Sequence, residues 1–342
     1  MKIYLASNQS LMINRGGPSY KLIQLHSELS RLGIDVQFFD MWNADNKYEK
    51  DELFHIFTAG IGVYHLAENI IQNGAKFVVN PIVYNRNSYK KVRAYSTFQR
   101  IVEKMLSGTH SDFGITRKIC NSAEIVLPNT IEEEKYLKNG LGVKNKFKVI
   151  HNGVEKRFLY GNSSIFTKKY GINDFLLYVG HLGQKRKNSE RIIKAFSKIN
   201  HPCVIIANVM NNNSGKKCIK MIKKSKNILF LNWVKHDDPL LASAYAACHT
   251  FVLPTLYETP GRAALEASLA GANVVITPFG GTKEYFADLA DYVNPYSVKA
   301  IAHSLENSLN KTKNEKLKQH IQANFLWKNI AEETLKMYKQ IL

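Results

Sequence analysis

The chain has 342 residues, 45% of them hydrophobic, with 17 Phe and 17 Tyr. That is ordinary globular material, enough for two cores, and it excludes the disordered and fibrous classes. A formal net charge of +19, from 47 Lys+Arg against 28 Asp+Glu, calls for an anionic partner: nucleic acid, an anionic membrane surface or a phosphate-bearing substrate.

The pattern alternates strand and helix. Lys2–Ala6 reads as a short apolar strand, followed by a glycine loop, Arg15-Gly16-Gly17-Pro18. Leu22, Leu25, Leu29 and Leu32 then fall at helical spacing, and Gly33 is a natural stop. Ile34–Phe39, Leu53–Thr58, Phe77–Val79, Glu124–Leu127 and Lys148–Ile150 are further strand candidates with helical stretches between them. Phe158–Gly171, polar and glycine-bearing, reads as a linker. A second series follows: a strand at Phe175–Val179, a loop with Gly180 and Gly183, and a helix at Ser189–Ile199. Cys203–Ala207, Ile228–Leu231, Phe251–Leu253 and Asn273–Thr277 are its later strands. The fold class this predicts is α/β, with two doubly wound parallel-sheet domains and ligands at the carboxyl ends of their strands. The expected domains are 1–160, 161–325 and a closing helix, 326–342.

Cys120, Cys203, Cys218 and Cys248 form no Cys-x-x-Cys pair, so they read as free thiols of a reducing compartment. The N-terminus turns polar too early for a signal peptide, and no apolar run approaches the ~20 residues of a spanning helix. The expected location is the cytoplasm. No Asp-x-Asp occurs, so no metal cofactor is expected, and cationic side chains and helix dipoles must hold any phosphate.

The densest signal runs from Phe251 to Phe286. A strand delivers the loop Thr255–Pro260, Gly261 opens a short helix, Arg262–Ala270, and Gly271 closes it. Glu258 then lies in the loop and Glu266 about a turn and a half into the helix. Gly261 permits close backbone approach to a ligand, and the exposed N–H groups at the helix start suit an anionic or hydroxyl-rich one. A carboxylate such as Glu266 can accept two hydrogen bonds from a vicinal diol.

This stretch, Tyr257-Glu-Thr-Pro-Gly-Arg-Ala-Ala-Leu-Glu266, resembles the E-x7-E motif of retaining GT-B glycosyltransferases of the family-4, group 1 type. Other elements resemble the same family in the same order: the loop at Gly16-Gly17, Tyr178-Val-Gly-His-Leu-Gly-Gln-Lys-Arg-Lys-Asn188, Leu231-Asn-Trp-Val234, and Phe325 through Tyr338. The resemblance implies two Rossmann-like domains facing a cleft. It implies that Glu258 contacts the donor sugar and Lys187 neutralises the departing diphosphate, these two being the catalytic pair. It assigns donor binding to Gly16, Gly17, His181, Arg186, Val234, Thr259, Gly261, Arg262 and Glu266, with Glu266 on the ribose. The partners it implies are a nucleotide diphosphate-sugar and a glycan or lipid-linked acceptor. The chain departs from the family pattern at His181, where Gly-Arg is usual, at Arg262, where an apolar residue is common, and at Asn80, near which a His is often found. Arg262 or Arg186 would supply the charge missing at His181.

Between Asn85 and Cys120, basic residues (Arg86, Lys90, Lys91, Arg93, Arg100, Lys104, Arg117, Lys118) interleave with apolar ones. That pattern fits docking on an anionic membrane surface, on the inner face of the cytoplasmic membrane. The function expected is hexose transfer without a metal, with retention, in bacterial surface polysaccharide synthesis. A nucleotide-sugar epimerase of the same fold and a non-catalytic nucleotide-sugar-binding subunit stay open. No nucleic-acid motif is present, so nucleic acid is not an expected partner.

Overall fold

A computed structural model describes residues 1–8, 11–13, 16–43, 52–83, 87–106 and 109–342. Arg15, Tyr84, Asn85 and Arg86 of the sequence reading lie outside the described residues. The chain divides into two compact units, Met1–Gly153 with Trp327–Leu342, and Val154–Leu326.

The first unit is built on a parallel sheet of β1 (Lys2–Ala6), β2 (Asp35–Phe38), β3 (Glu52–Phe57) and β4 (Lys76–Asn80), in the order β2-β1-β3-β4. β3 is buried along its whole length, as expected of a strand covered on both faces. The expected strands at Glu124–Leu127 and Lys148–Ile150 are reduced to isolated bridges, Val79 with Val126 and Val126 with Phe147. Both segments still run parallel to their neighbours: Leu127 N–H donates to the Val79 carbonyl at 2.7 Å, and Lys148 N–H donates to the Val126 carbonyl at 3.0 Å. Helix Gly17–Arg31 lays Leu22, Leu25 and Leu29 on the sheet, and helix Trp327–Tyr338 packs beside it.

A buried polar cluster lies beneath this layer. Lys21, 1% exposed, donates to Asn129 Oδ1 at 2.6 Å and to the Ile150 carbonyl at 3.1 Å. Burial lowers its pKa to about 7, against the pull of Glu133 and Glu333. Glu133 accepts from the Val83 and Asn129 backbone N–H groups at 2.6 and 2.7 Å. Asn80 is fully buried, and its amide donates to the Leu127 carbonyl, so it is bound into the interior of the unit. His55, read as a strand residue, is buried in β3 with Nδ1 2.6 Å from Tyr338 Oη.

The second unit holds a six-stranded parallel sheet of β5 (Leu176–Leu182), β6 (Cys203–Val209), β7 (Ile228–Leu231), β8 (Thr250–Leu253), β9 (Asn273–Ile276) and β10 (Asp291–Tyr292). The order is β10-β9-β8-β5-β6-β7. The expected linker, Phe158–Gly171, is part of this unit instead. It folds as a turn and a helix, Ser163–Tyr170, because Phe158 and Phe166 are both buried in the core. The unit opens and closes on itself: Val154 N–H donates to the Phe325 carbonyl at 2.7 Å, and Val154 bridges Leu326. Among the described residues no helix is long and apolar enough to cross a membrane.

Candidate functional site

From β5 the chain lays β6 and β7 on one side, then crosses to lay β8, β9 and β10 on the other. The loops leaving the carboxyl ends of β5 and β8 therefore diverge, and an open parallel sheet binds ligands at such a switch. These two loops carry the cationic and acidic residues singled out by the sequence.

The loop after β5 turns at Gly183, whose φ of +90° and proximity to the Gly215 backbone leave no room for a Cβ. A tight turn, Lys185–Lys187, follows. Asn188 then takes the left-handed region, φ +56°, and its amide donates to the carbonyls of Pro254 at 2.8 Å and Pro295 at 2.7 Å. This staple ties the β5 loop to the β8 loop.

In the β8 loop, the Glu258 N–H donates to the Phe279 carbonyl at 3.1 Å, and its own carbonyl accepts from Gly281 N–H at 3.0 Å. Its carboxylate, 5% exposed, receives Lys187 Nζ at 2.8 Å and Arg186 Nη1 at 3.0 Å, both on Oε1. Arg186 also donates to the Tyr257 carbonyl at 3.1 Å and lies over the Tyr257 ring. Burial opposes ionisation of Glu258, but the two cations outweigh it and hold the carboxyl below the ordinary range. Burial likewise lowers Lys187, with Arg186 and Arg262 adding to it and Glu258 opposing. This is a preorganised group of fixed charges, the kind of arrangement that binds an anion and stabilises charge developing on it.

Helix Arg262–Leu269 begins after Gly261, which takes φ +88°. Glu266, 3% exposed, is held on both oxygens. Oε2 accepts from Tyr245 Oη at 2.9 Å, while Oε1 meets His236 Nε2 at 3.0 Å and Arg262 Nε at 3.2 Å. Burial works against ionisation here too, and His236 and Arg262 overcome it, so the Glu266 carboxyl also sits low. An ionised carboxylate only accepts, so His236 Nε2 carries the hydrogen and its Nδ1 accepts from Arg157 Nη2 at 3.0 Å. Glu155 stands beside Nδ1 at 3.4 Å and beside Arg157 Nε at 3.5 Å.

The structure thus brings Arg186, Lys187 and Glu258 into one group and Arg262 and Glu266 into a second, on the same helix and loop. Thr259 is half-buried beside Glu258. His181, next to last in β5, is half-buried with its ring 5.8 Å from that of Trp233, and burial together with Lys187 and Arg186 lowers its pKa. Val234 packs against the core of the second unit from the loop after β7, the loop that also delivers His236. Gly16 and Gly17 belong to the first unit, where Gly16 caps helix Gly17–Arg31 and donates its N–H to Ser19 Oγ at 2.8 Å. Sequence reasoning missed His236, Tyr245, Glu155 and the Asn188 staple. Only Asn188, sitting at the end of a recognised loop, carried any local signal.

Two parallel α/β sheets, each with its helices, define the GT-B class of glycosyltransferase folds. The trehalose-6-phosphate synthase structure from Escherichia coli, bound with UDP-2-fluoro glucose, superposes over 100% of this chain and 100% of its own at a TM-score of 0.74 and 11% identity. Residues 162–325 match the family model of glycosyl transferases group 1, and this part of the chain belongs to that family. An uncharacterized glycosyltransferase of Methanocaldococcus jannaschii is 28% identical over 57% of this chain and 54% of its own length. The serotype-specific mannosyltransferase WbdA of Escherichia coli is 24% identical over 64% of this chain and 28% of its own. The chain therefore spans about half or less of the length of these curated relatives.

Proposed function

We propose that the chain is a retaining, metal-independent glycosyltransferase that moves a hexose from a nucleotide diphosphate-sugar to a glycan or lipid-linked acceptor, in bacterial surface polysaccharide synthesis. The observation that carries this reading is the convergence of Lys187 and Arg186 on Glu258 at the switch between β5 and β8. Breaking a sugar–phosphate bond develops negative charge on the leaving oxygen, and cations already fixed at that place lower the barrier. Glu258 keeps Lys187 in position until the donor arrives and then accepts from the sugar hydroxyls. Glu266 takes the ribose. The group 1 family match and the mannosyltransferase relative support the substrate class.

A thermal-shift screen of UDP-, GDP- and dTDP-sugars identifies the donor, since a ligand that binds only the folded state raises its melting temperature. Release of the nucleoside diphosphate in the presence of acceptor is the expected result, and Lys187→Met should lower kcat at least a hundredfold, about 2.7 kcal/mol or more. Binding with no release from any donor refutes the transferase. Conversion of free donor to an isomer without acceptor replaces it with an epimerase.

A lipid-linked acceptor places the chain at a membrane, and helix Tyr89–Met105 supports this. The helix is turned inside out: it buries Val92 and Ser96 while exposing Tyr95, Phe98, Ile101 and Met105. Lys90, Lys91, Arg93, Arg100 and Lys104 are exposed around that apolar stripe, and Glu103, the one carboxylate of the helix, is turned to Ser111 and Arg117. An apolar stripe rimmed by cations complements an anionic lipid surface. Flotation with phosphatidylglycerol vesicles should be lost in a Lys90/Lys91/Arg93→Ala variant and in Phe98→Glu. Binding unchanged in both variants removes the membrane from the proposal.

A further inference from the structure

The donors around Glu266 exceed what its carboxylate can accept once a diol is added, and the excess falls on one residue. An ionised carboxylate offers about four lone-pair positions, two on each oxygen. Tyr245 Oη takes one on Oε2, and His236 Nε2 and Arg262 Nε take both on Oε1. A vicinal diol that bridges the carboxylate brings one O–H to each oxygen. Oε2 can accept it; Oε1 cannot until a partner leaves.

The three partners are not equally held. Tyr245 is fully buried, against the rings of Phe158 and Phe251. His236 is fixed at its far side by Arg157, which meets both its Nδ1 and its carbonyl, and by the edge of Phe158. Arg262 has the most exposed side chain of the three donors, at 33%, and lies one helical turn before Glu266 on the same helix. Arg262 is therefore the one partner of the three that can swing toward solvent without disturbing the packed rings, and an incoming hydroxyl replaces its contact to the buried carboxylate.

We infer that Arg262 is a displaceable latch on Glu266. It occupies Oε1 when no nucleotide is bound, yields that position to a ribose hydroxyl, and turns its guanidinium to the diphosphate of the same ligand. His236 and Tyr245 stay in place and hold the carboxylate square to the diol. The first turn of the helix, where Arg262 stands, is where an anion is best received, so the freed cation gains a partner as it loses one. The latch makes a ribose without phosphates a poor ligand, because it must displace the arginine with nothing to receive it. It thereby selects a nucleotide over a nucleoside. The inference rests on the reading that Glu266 binds the donor ribose.

The test compares wild type with Arg262→Ala for binding of UDP and GDP, of uridine and guanosine, and of the 2′- and 3′-deoxy diphosphates, by calorimetry and by competition. In wild type the deoxy diphosphates should bind at least tenfold more weakly than the ribo forms. In Arg262→Ala the nucleoside should bind about three- to fivefold more tightly, an i,i+4 ion pair exposed on its arginine side no longer having to be broken. The diphosphate should bind more weakly, having lost a cation. A nucleoside affinity that is unchanged while the diphosphate weakens makes Arg262 a phosphate ligand only and overturns the latch. A fall in both makes it a structural pair and also overturns it. Equal binding of deoxy and ribo diphosphates in wild type, or binding of neither nucleotide, is failure of the Glu266 reading itself, and the two failures are thus told apart. Arg262→Lys keeps a cation and should retain diphosphate affinity while still tightening the nucleoside, since an ammonium cannot reproduce the Nε contact.

Discussion

Lys187→Met tests whether the ion group at the switch carries free energy as well as charge. The substitution keeps the length and apolar stem of the side chain and removes the ammonium 2.8 Å from Glu258 Oε1. Breaking a buried ion pair on one side typically costs about 3–5 kcal/mol, because the other charge stays buried. Arg186 remains 3.0 Å from the same oxygen and offsets part of this, so a loss of about 2–3 kcal/mol is expected at pH 7.5. The pH dependence supplies the sharper test. Glu258 is held below the ordinary carboxylate range, so its contribution is present above the unfolded value, about 4.3, and is lost as pH falls through the folded one. With Lys187 gone, burial pushes the carboxyl up and it protonates earlier, which relieves the uncompensated charge. The deficit of the variant should therefore shrink at pH 4. Urea-dependent hydrogen exchange of peptides from β5 and β8 reads the second unit separately from the first. A deficit that is the same at both pH values, or absent at both, refutes the reasoning.

Three further outcomes are expected. Gly280→Ala should disable the β8 loop, because a Cβ there would lie 2.1 Å from the Glu258 carbonyl oxygen at a φ of +92°; a loss of about 3 kcal/mol or more by the same exchange measurement is expected, and a neutral result contradicts the loop geometry. His236→Ala, which leaves Glu266 its Tyr245 and Arg262 contacts, should weaken UDP or GDP binding about tenfold by calorimetry, within the range for losing a hydrogen bond to a charged group. Lys21, whose pKa falls to about 7 in the folded chain, binds its proton more tightly when unfolded, so the first unit should gain stability as pH rises from about 7 toward 10; Lys21→Met should flatten that slope in chemical denaturation, and a slope left intact assigns it elsewhere.

The sheet strands were legible because glycine, proline and polar residues punctuate short apolar runs. Lys2–Ala6 and Ile228–Leu231 form with the bounds their composition predicts. The loops at Lys185–Asn188 and Glu258–Gly261 were legible for a different reason: their residues, in order, resemble a family motif that names them as a site. What stayed hidden depends on distance along the chain. His236 and Tyr245 reach Glu266 from 30 and 21 residues away, and nothing local marks either as its partner. Phe158–Gly171 read as a linker because polar residues surround two phenylalanines, and only packing shows that those two anchor the segment. Helix Tyr89–Met105 gave its amphipathic pattern to the sequence but not the direction in which it faces. An apolar stripe has the same period whether it meets a core or solvent.

The hydrogen bond from Val154 to Phe325 closes the second unit at its own doorway. The chain enters this unit and leaves it at two points no further apart than paired strands, so the whole unit is, in connectivity, an insertion between Gly153 and Trp327. A short bridge between those two residues would excise it without stretching the first unit's chain, and the freed ends could be joined into a ring or reopened elsewhere. Such connectivity lends itself to exchange: another unit of the same sheet order, with its ends paired in the same way, could be spliced into the same doorway.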